Sequence, residues 1–147
     1  MVALIEPTKS TGMWATFRLA DEVFALRVED AQEVLMNCEL TPVPLAPDYV
    51  VGLLNLRGQI MTVIDLRRRL LFPPRPPGSE GQHLLVVKSG DRLASLLVDE
   101  IGDVLEVAED GWRPSPDTLA ARHRKFVTGI CLIEGEVLLG LDVSSLL

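Results

Sequence analysis

Short apolar runs separated by Gly, Asp and Pro recur along the whole chain. Residues 13–19, 23–28, 51–56, 60–64, 84–87, 93–98, 127–133 and 137–141 have the length and β-rich composition of strands. Alternation is visible in the first two. Ala15, Phe17 and Leu19 share one face, and Phe24, Leu26 and Val28 share another. Turn signals fall between runs at Ala20-Asp21-Glu22, Arg57-Gly58-Gln59, Ser89-Gly90-Asp91-Arg92 and Glu134-Gly135-Glu136. Each predicts a tight hairpin, because Gly and Asp tolerate positive φ. Helices are expected to be few and short: 66–71, 117–125 after Pro114 and Pro116, and 142–147 with Asp142 as cap. Residues 72–82 contain four prolines and two glycines and read as an extended linker.

The pattern repeats. Residues 20–35 (ADEVFALRVEDAQEVL) align with 90–105 (GDRLASLLVDEIGDVL), placing Asp21, Leu26, Val28, Val34 and Leu35 on Asp91, Leu96, Val98, Val104 and Leu105. Acid meets acid where Glu29, Asp30 and Glu33 fall on Asp99, Glu100 and Asp103. The alignment continues through Thr41-Pro42-Val43-Pro44 on Arg113-Pro114-Ser115-Pro116, and Tyr49-Val50-Val51-Gly52 on Phe126-Val127-Thr128-Gly129. Gly58 matches Gly135, and Asp65 matches Asp142. Elements in the same order point to an internal duplication. The expected fold is all-β, with two five-stranded barrel subdomains and a few short helices; closing five short strands into a barrel hides their edges. The expected layout is a tail at 1–12 and one domain at 13–147. Within it, subdomain 1 covers about 13–71, the connection 72–82, and subdomain 2 about 83–147.

Composition narrows the function. The 147 residues are 48% hydrophobic but only 5% aromatic, so the core is built from Leu, Val, Ile and Ala. A net charge of −7 argues against nucleic acid, whose binders carry a basic footprint. Residues 1–10 include Glu6 and Pro7 and do not read as a signal peptide, and no run approaches the length of a membrane span. Cys38 and Cys131 read as buried thiols, which places the chain in the cytoplasm.

Catalytic chemistry finds little support. His83, His123, Cys38 and Cys131 lack metal-ligand spacing, and no cofactor is expected. There is no nucleophile elbow and no phosphate-binding glycine loop. The duplication raises one enzyme hypothesis, an acid/base dyad of the equivalent Asp65 and Asp142. Asp65 precedes Leu66-Arg67 and Asp142 precedes Val143-Ser144, so a helix cap is the favoured reading of each. Arg57 stands apart, since a multi-donor guanidinium at the tip of a rigid hairpin suits protein contacts.

Residues 49–67, YVVGLLNLRGQIMTVIDLR, carry a family resemblance: Gly52, two apolar residues, Asn55-Leu56-Arg57-Gly58, an apolar strand, then Ile64-Asp65-Leu66-Arg67. With Val98-Asp99-Glu100-Ile101-Gly102-Asp103-Val104 and Phe126-Val127-Thr128-Gly129-Ile130, they resemble the CheW family of bacterial chemosensory adaptors. The resemblance implies two intertwined barrels of SH3-like type. It implies an adaptor between the cytoplasmic tips of methyl-accepting chemoreceptors and the regulatory domain of a CheA-type histidine kinase, with other CheW-like proteins as further partners. Carried over by position, Arg57, Asn55 and Glu33 would face the receptor, Ala31 and Gly52 the kinase, and His83 and Leu84 a partner groove between the units. Two positions depart from the family pattern. Thr62 stands where Pro is frequent, and Ala31 where a larger β-branched residue is usual. These leave open a specialised paralogue that binds only one partner or serves another motility pathway.

Overall fold

The computed structural model describes residues 11–76, 81–114 and 125–147. Ten strands dominate them: β1 (Thr11–Leu19), β2 (Glu22–Arg27), β3 (Ala31–Met36), β4 (Val50–Leu56), β5 (Gln59–Asp65), β6 (His83–Ser89), β7 (Arg92–Val98), β8 (Glu100–Ala108), β9 (Val127–Ile133) and β10 (Glu136–Leu141). Two single-turn helices, α1 (Leu66–Arg69) and α2 (Val143–Leu146), follow β5 and β10. The apolar runs therefore become strands. Two strands, β3 and β8, escaped the apolar-run reading because they carry Glu33 or Glu100, Asp103 and Glu106 on half-exposed edges. β1 begins at Thr11, so Gly12 belongs to a sheet and not to a tail. The helix expected at 117–125 lies almost wholly outside the described residues.

The strands form two five-stranded sheets, ordered β8-β1-β2-β10-β9 and β3-β6-β7-β5-β4. Replacing each strand by its repeat equivalent converts one order into the other. The registers obey the same exchange. The parallel pair β2–β10 sets Phe24 opposite Leu139, and the parallel pair β5–β7 sets Ala94 opposite Thr62. The duplication is thus a property of the fold as well as of the sequence.

The sheet boundaries differ from the repeat boundaries. Residues 13–71 and 83–147 are the repeats, but neither makes a sheet alone. β1 and β2 join the last three strands, while β3, β4 and β5 take in β6 and β7. The cause lies in the β2–β3 connection, a single 3-10 turn at Val28–Asp30 that carries the chain out of one sheet and into the other. The equivalent residues Asp99 and Glu100 do the same between β7 and β8. Beyond β3 and β8 the chain crosses to the opposite edge of its sheet and meets it at an isolated bridge and not along a continuous ladder. Thr41 pairs with Leu53 beside β4, and Arg113 with Ile130 on β9.

Burial follows the alternation of side chains across each strand. On β6, Leu84 and Val86 enter a cluster inside the second sheet with Leu54, Met61 and Val63. Leu85 and Val87 face the other way, into a central core shared by both sheets with Phe17, Phe24, Leu96, Leu139 and Leu141. Burial on both faces explains why these strands read as continuous apolar runs. The first sheet has its own cluster of Val107, Cys131 and Leu138, with Trp14 and Trp112 packed against it. There Gly140 makes room for Trp112, whose ring a Cβ would approach to 3.0 Å. The equivalent positions in the second sheet are Val63 and Leu40, a large-for-small exchange that keeps both interiors filled.

Candidate functional site

The β4–β5 hairpin turns on Arg57 and Gly58, with φ of 51° and 84°. Positive φ at both central residues is the mirror-image turn that matches strand twist. Asn55 holds it: its Oδ1 accepts a hydrogen bond from the Gly58 N–H at 3.0 Å. The Arg57 side chain donates through Nη2 to Glu33 Oε1 on β3. β3 and β4 are opposite edges of their sheet, so this ion pair ties the edges together a short distance from the Thr41–Leu53 bridge. The Arg57 side chain is 73% exposed and Glu33 32%. Ile60 lies opposite Asn55 across the hairpin and is 65% exposed. Val34 and Met36 expose apolar surface on the face of β3 opposite Glu33. A fixed guanidinium on the same hairpin as the uncovered Ile60 has the make-up of a protein-contact patch.

Arg57, Asn55 and Glu33, which the family resemblance grouped together, are thus neighbours. The second copy has diverged at this hairpin. Glu134 and Gly135 keep the same backbone, with φ of 50° and 82°. Leu132 and Val137 replace Asn55 and Ile60 as the exposed cross-strand pair.

The other expected site residues are placed differently. Gly52 is buried, and a Cβ on it would lie 2.8 Å from the Thr41 carbonyl oxygen. Its equivalent, Gly129, would place a Cβ 2.7 Å from the Arg113 carbonyl oxygen. Each glycine permits the backbone contact at which the sheet edges meet. Ala31 is half-buried at a bulge in β3, opposite Val87 and packed on the central core. His83 opens β6 between Met36 and Val98, half-buried, with Nδ1 enclosed and unpartnered among the described residues. Leu84 has no exposed surface and lies inside the second sheet, so it does not line a groove. A run of four apolar residues on β6 gave no alternation from which to read its facing.

Asp65 and Asp142 each cap a helix. Asp65 accepts from the Arg67 N–H at 3.0 Å, and Asp142 from the Ser144 N–H at 3.1 Å. Hydrogen bonds from the Ser144 and Ser145 hydroxyls hold the Asp142 carboxyl below its ordinary range. Asp65 ends β5 and Asp142 follows β10 in the other sheet, and each is committed to its own cap. Among the described residues no cluster of His, Cys, Asp and Glu is arranged to hold a metal ion.

Arg67, which the sequence offers only as the end of the Ile64-Asp65-Leu66-Arg67 motif, makes the most enclosed ion pair in the described residues. Its Nε donates to both Asp99 oxygens, at 2.9 and 3.0 Å, and Nη1 to the Pro73 carbonyl at 2.9 Å. Asp99 also accepts from the Ala20 N–H at 2.7 Å. Burial alone would raise the Asp99 carboxyl. Hydrogen bonds from Arg67 and Ala20, with the charges of Arg67 and Arg75, outweigh burial and hold it below its ordinary value. The cluster joins α1, the β1–β2 turn, the β7–β8 corner and the proline-rich connection. No local signal pairs residues 32 positions apart.

Residues 14–147 match the family described as the CheW-like domain. The chain belongs to the CheW-like domain family. A chemotaxis protein CheW of Rhizobium meliloti is 32% identical over 130 residues, covering 88% of this chain and 83% of the relative. Protein PilI of Pseudomonas aeruginosa is 27% identical over 114 residues, 78% of this chain and 64% of the relative. The crystal structure of a scaffolding protein CheW from Thermoanaerobacter tengcongensis superposes with a TM-score of 0.82 at 27% identity, covering 90% of each chain. The paired five-stranded sheets are therefore the CheW-like fold. Among the described residues no helix is long and apolar enough to cross a membrane.

Proposed function

We propose that this CheW-like chain is a cytoplasmic coupling adaptor of a chemosensory array. It links the signalling tips of methyl-accepting chemoreceptors to the regulatory domain of a CheA-type histidine kinase and so controls motility or a related response. One observation carries the receptor side: the exposed Arg57 guanidinium, fixed by Glu33 and by the Asn55-anchored turn, beside exposed Ile60. On the kinase side, Ala31 and the backbone at Gly52 lie close to the same sheet edges. The adaptor acts by binding and needs no cofactor. The test is titration of the purified protein against a receptor tip and, separately, against a kinase regulatory domain. Both should bind, and Arg57→Glu should abolish receptor binding alone. Binding to neither overturns the reading.

A specific observation favours a second reading, an adaptor that engages one partner. At Ala31 only a methyl group, half-buried against the core, is offered to a partner. In that case the kinase titration shows no saturable binding while the receptor titration does.

A further inference from the structure

The helix-bearing end of the molecule carries a feature that the Arg57 surface does not use. Tyr49 and Phe126 are repeat equivalents, and their backbones do equivalent work. Tyr49 O accepts from the Asp65 N–H, and Phe126 O from the Asp142 N–H, both at 2.8 Å. The Arg69 guanidinium of α1 sits between their rings, 4.6 Å from the Tyr49 centroid and 4.7 Å from that of Phe126. Lys125 Nζ lies 4.9 Å from the Phe126 ring. The repeat equivalent of Arg69 is Leu146, which is buried, so this cation exists in one copy only.

These groups line an open pocket of about 530 Å³ with Asp48, Arg68 and Leu71. Its charge is unevenly neutralised. Arg68 Nη1 donates to the Asp48 carbonyl at 3.0 Å, and its Nε lies 3.7 Å from Asp65. Among the described residues Arg69 makes one long hydrogen bond, 3.4 Å to the Ser145 carbonyl, and its buried Nε has no partner. Neither Arg69 nor Lys125 has a carboxylate partner among the described residues. Against three cations the pocket holds one acid, Asp48, in a chain of net charge −7. Leu71 is 66% exposed at the rim. Two cations without a carboxylate partner among the described residues suit a carboxylate, and the uncovered leucine suits an aliphatic side chain next to it.

We infer that this pocket is a second docking site, which takes an acidic–aliphatic peptide segment of a protein partner. The segment's carboxylate meets Arg69 and Lys125, and its aliphatic neighbour covers Leu71. The site is separate from the Arg57 hairpin and does not depend on the receptor assignment made for it.

The probe is a fluorescein-labelled peptide of alternating Glu and Leu, titrated by anisotropy into the full chain at low ionic strength. Saturable one-to-one binding is expected. Lys125→Glu should weaken it by about tenfold or more, a factor worth about 1.4 kcal/mol. Lys88→Glu, the same charge change at an exposed residue near the end of β6, should leave it unchanged, as should Arg57→Glu. Arg68→Glu provides a second exposed variant should Lys125→Glu fail to fold. Failure to bind, or equal weakening by Lys88→Glu, overturns the inference. Equally tight binding of inorganic phosphate, with no dependence on the peptide's leucines, overturns it in favour of a simple anion site. Loss of receptor binding without loss of peptide binding bears on the Arg57 surface alone.

Discussion

At the scale of single residues, contact roles and folding roles meet at the same sheet edges. Gly52 illustrates the hazard. A methyl group there would sit 2.8 Å from the Thr41 oxygen, closer than a Cβ can stand, so the backbone bridge must open. Gly52→Ala should destabilise the fold by about 1–3 kcal/mol, as forced overpacking does. Gly129→Ala should cost a similar amount, since the equivalent distance is 2.7 Å. Urea unfolding of both variants checks this. A Gly52 variant that loses kinase binding with an unchanged unfolding midpoint would instead assign the glycine to the interface. Arg57 behaves oppositely. It is exposed and its pair with Glu33 is on the surface, where ion pairs contribute about 0–1 kcal/mol. Arg57→Glu should therefore abolish receptor binding while shifting the unfolding midpoint little, and the same samples can report both.

At the scale of elements, local rules were enough where an element is decided locally. The apolar runs became strands, and Gly58 and Gly135 fell on hairpin turns. Asp65 and Asp142 became caps because a carboxylate before a helical turn satisfies its free N–H groups. Asn55 and Arg57 share one hairpin, and Arg57 reaches Glu33 across the sheet edges. What the sequence did not disclose depends on distant chain segments. Leu84 lies in the core and not in the groove its family position implies, and a strand buried on both faces has no polar alternation to orient it. The Arg67–Asp99 cluster joins four elements, and its members are neighbours only after folding. That cluster makes stability depend on pH with a definite sign. The Asp99 carboxyl is held below its ordinary value in the folded chain, so the folded state binds fewer protons than the unfolded state as pH falls. Its contribution is fully present above the unfolded carboxylate value of about 4 and is lost as pH drops through the lower folded value. Asp142 adds to the same acid-side loss. Asp99→Asn should remove part of this dependence, flattening a plot of unfolding midpoint against pH below about 4. Arg67→Ala should cost about 2–3 kcal/mol at neutral pH, since it leaves an enclosed carboxylate with weaker partners. An unaltered acid-side slope in Asp99→Asn would show that the carboxylate is not selectively stabilised.

At the scale of the molecule, the decisive fact is that the repeats exchange strands. A duplication with a proline-rich connection suggests two modules on a tether. The sheet order rules that out, since β1 and β2 hydrogen-bond to β8 and β10 while β3 and β5 hydrogen-bond to β6 and β7. The parallel pairs β2–β10 and β5–β7 carry no turn signature, so periodicity alone cannot find them. One central core takes Phe17, Phe24 and Ile64 from the first repeat and Leu85, Leu96, Phe126 and Leu139 from the second. Neither half can bury its apolar faces or pair its edges without the other. The chain should therefore unfold in one transition, with calorimetric and van't Hoff enthalpies equal. A protease site placed within residues 77–80 makes the stronger test. After cleavage the halves should stay together and keep their strand circular dichroism, because the covalent link adds only chain-closure entropy to a complete set of contacts. Separated under denaturant and returned to buffer singly, each half should lack that signal, and mixing should restore it with second-order kinetics. A half that refolds alone would show that a repeat can make its own sheet. The proposed adaptor would then be a pair of modules free to reorient. If the halves need each other, the Arg57 hairpin and the Arg69 pocket are fixed relative to one another. Two partners bound there would be held in a set geometry, which is the physical requirement for a scaffold that transmits a receptor's state to a kinase.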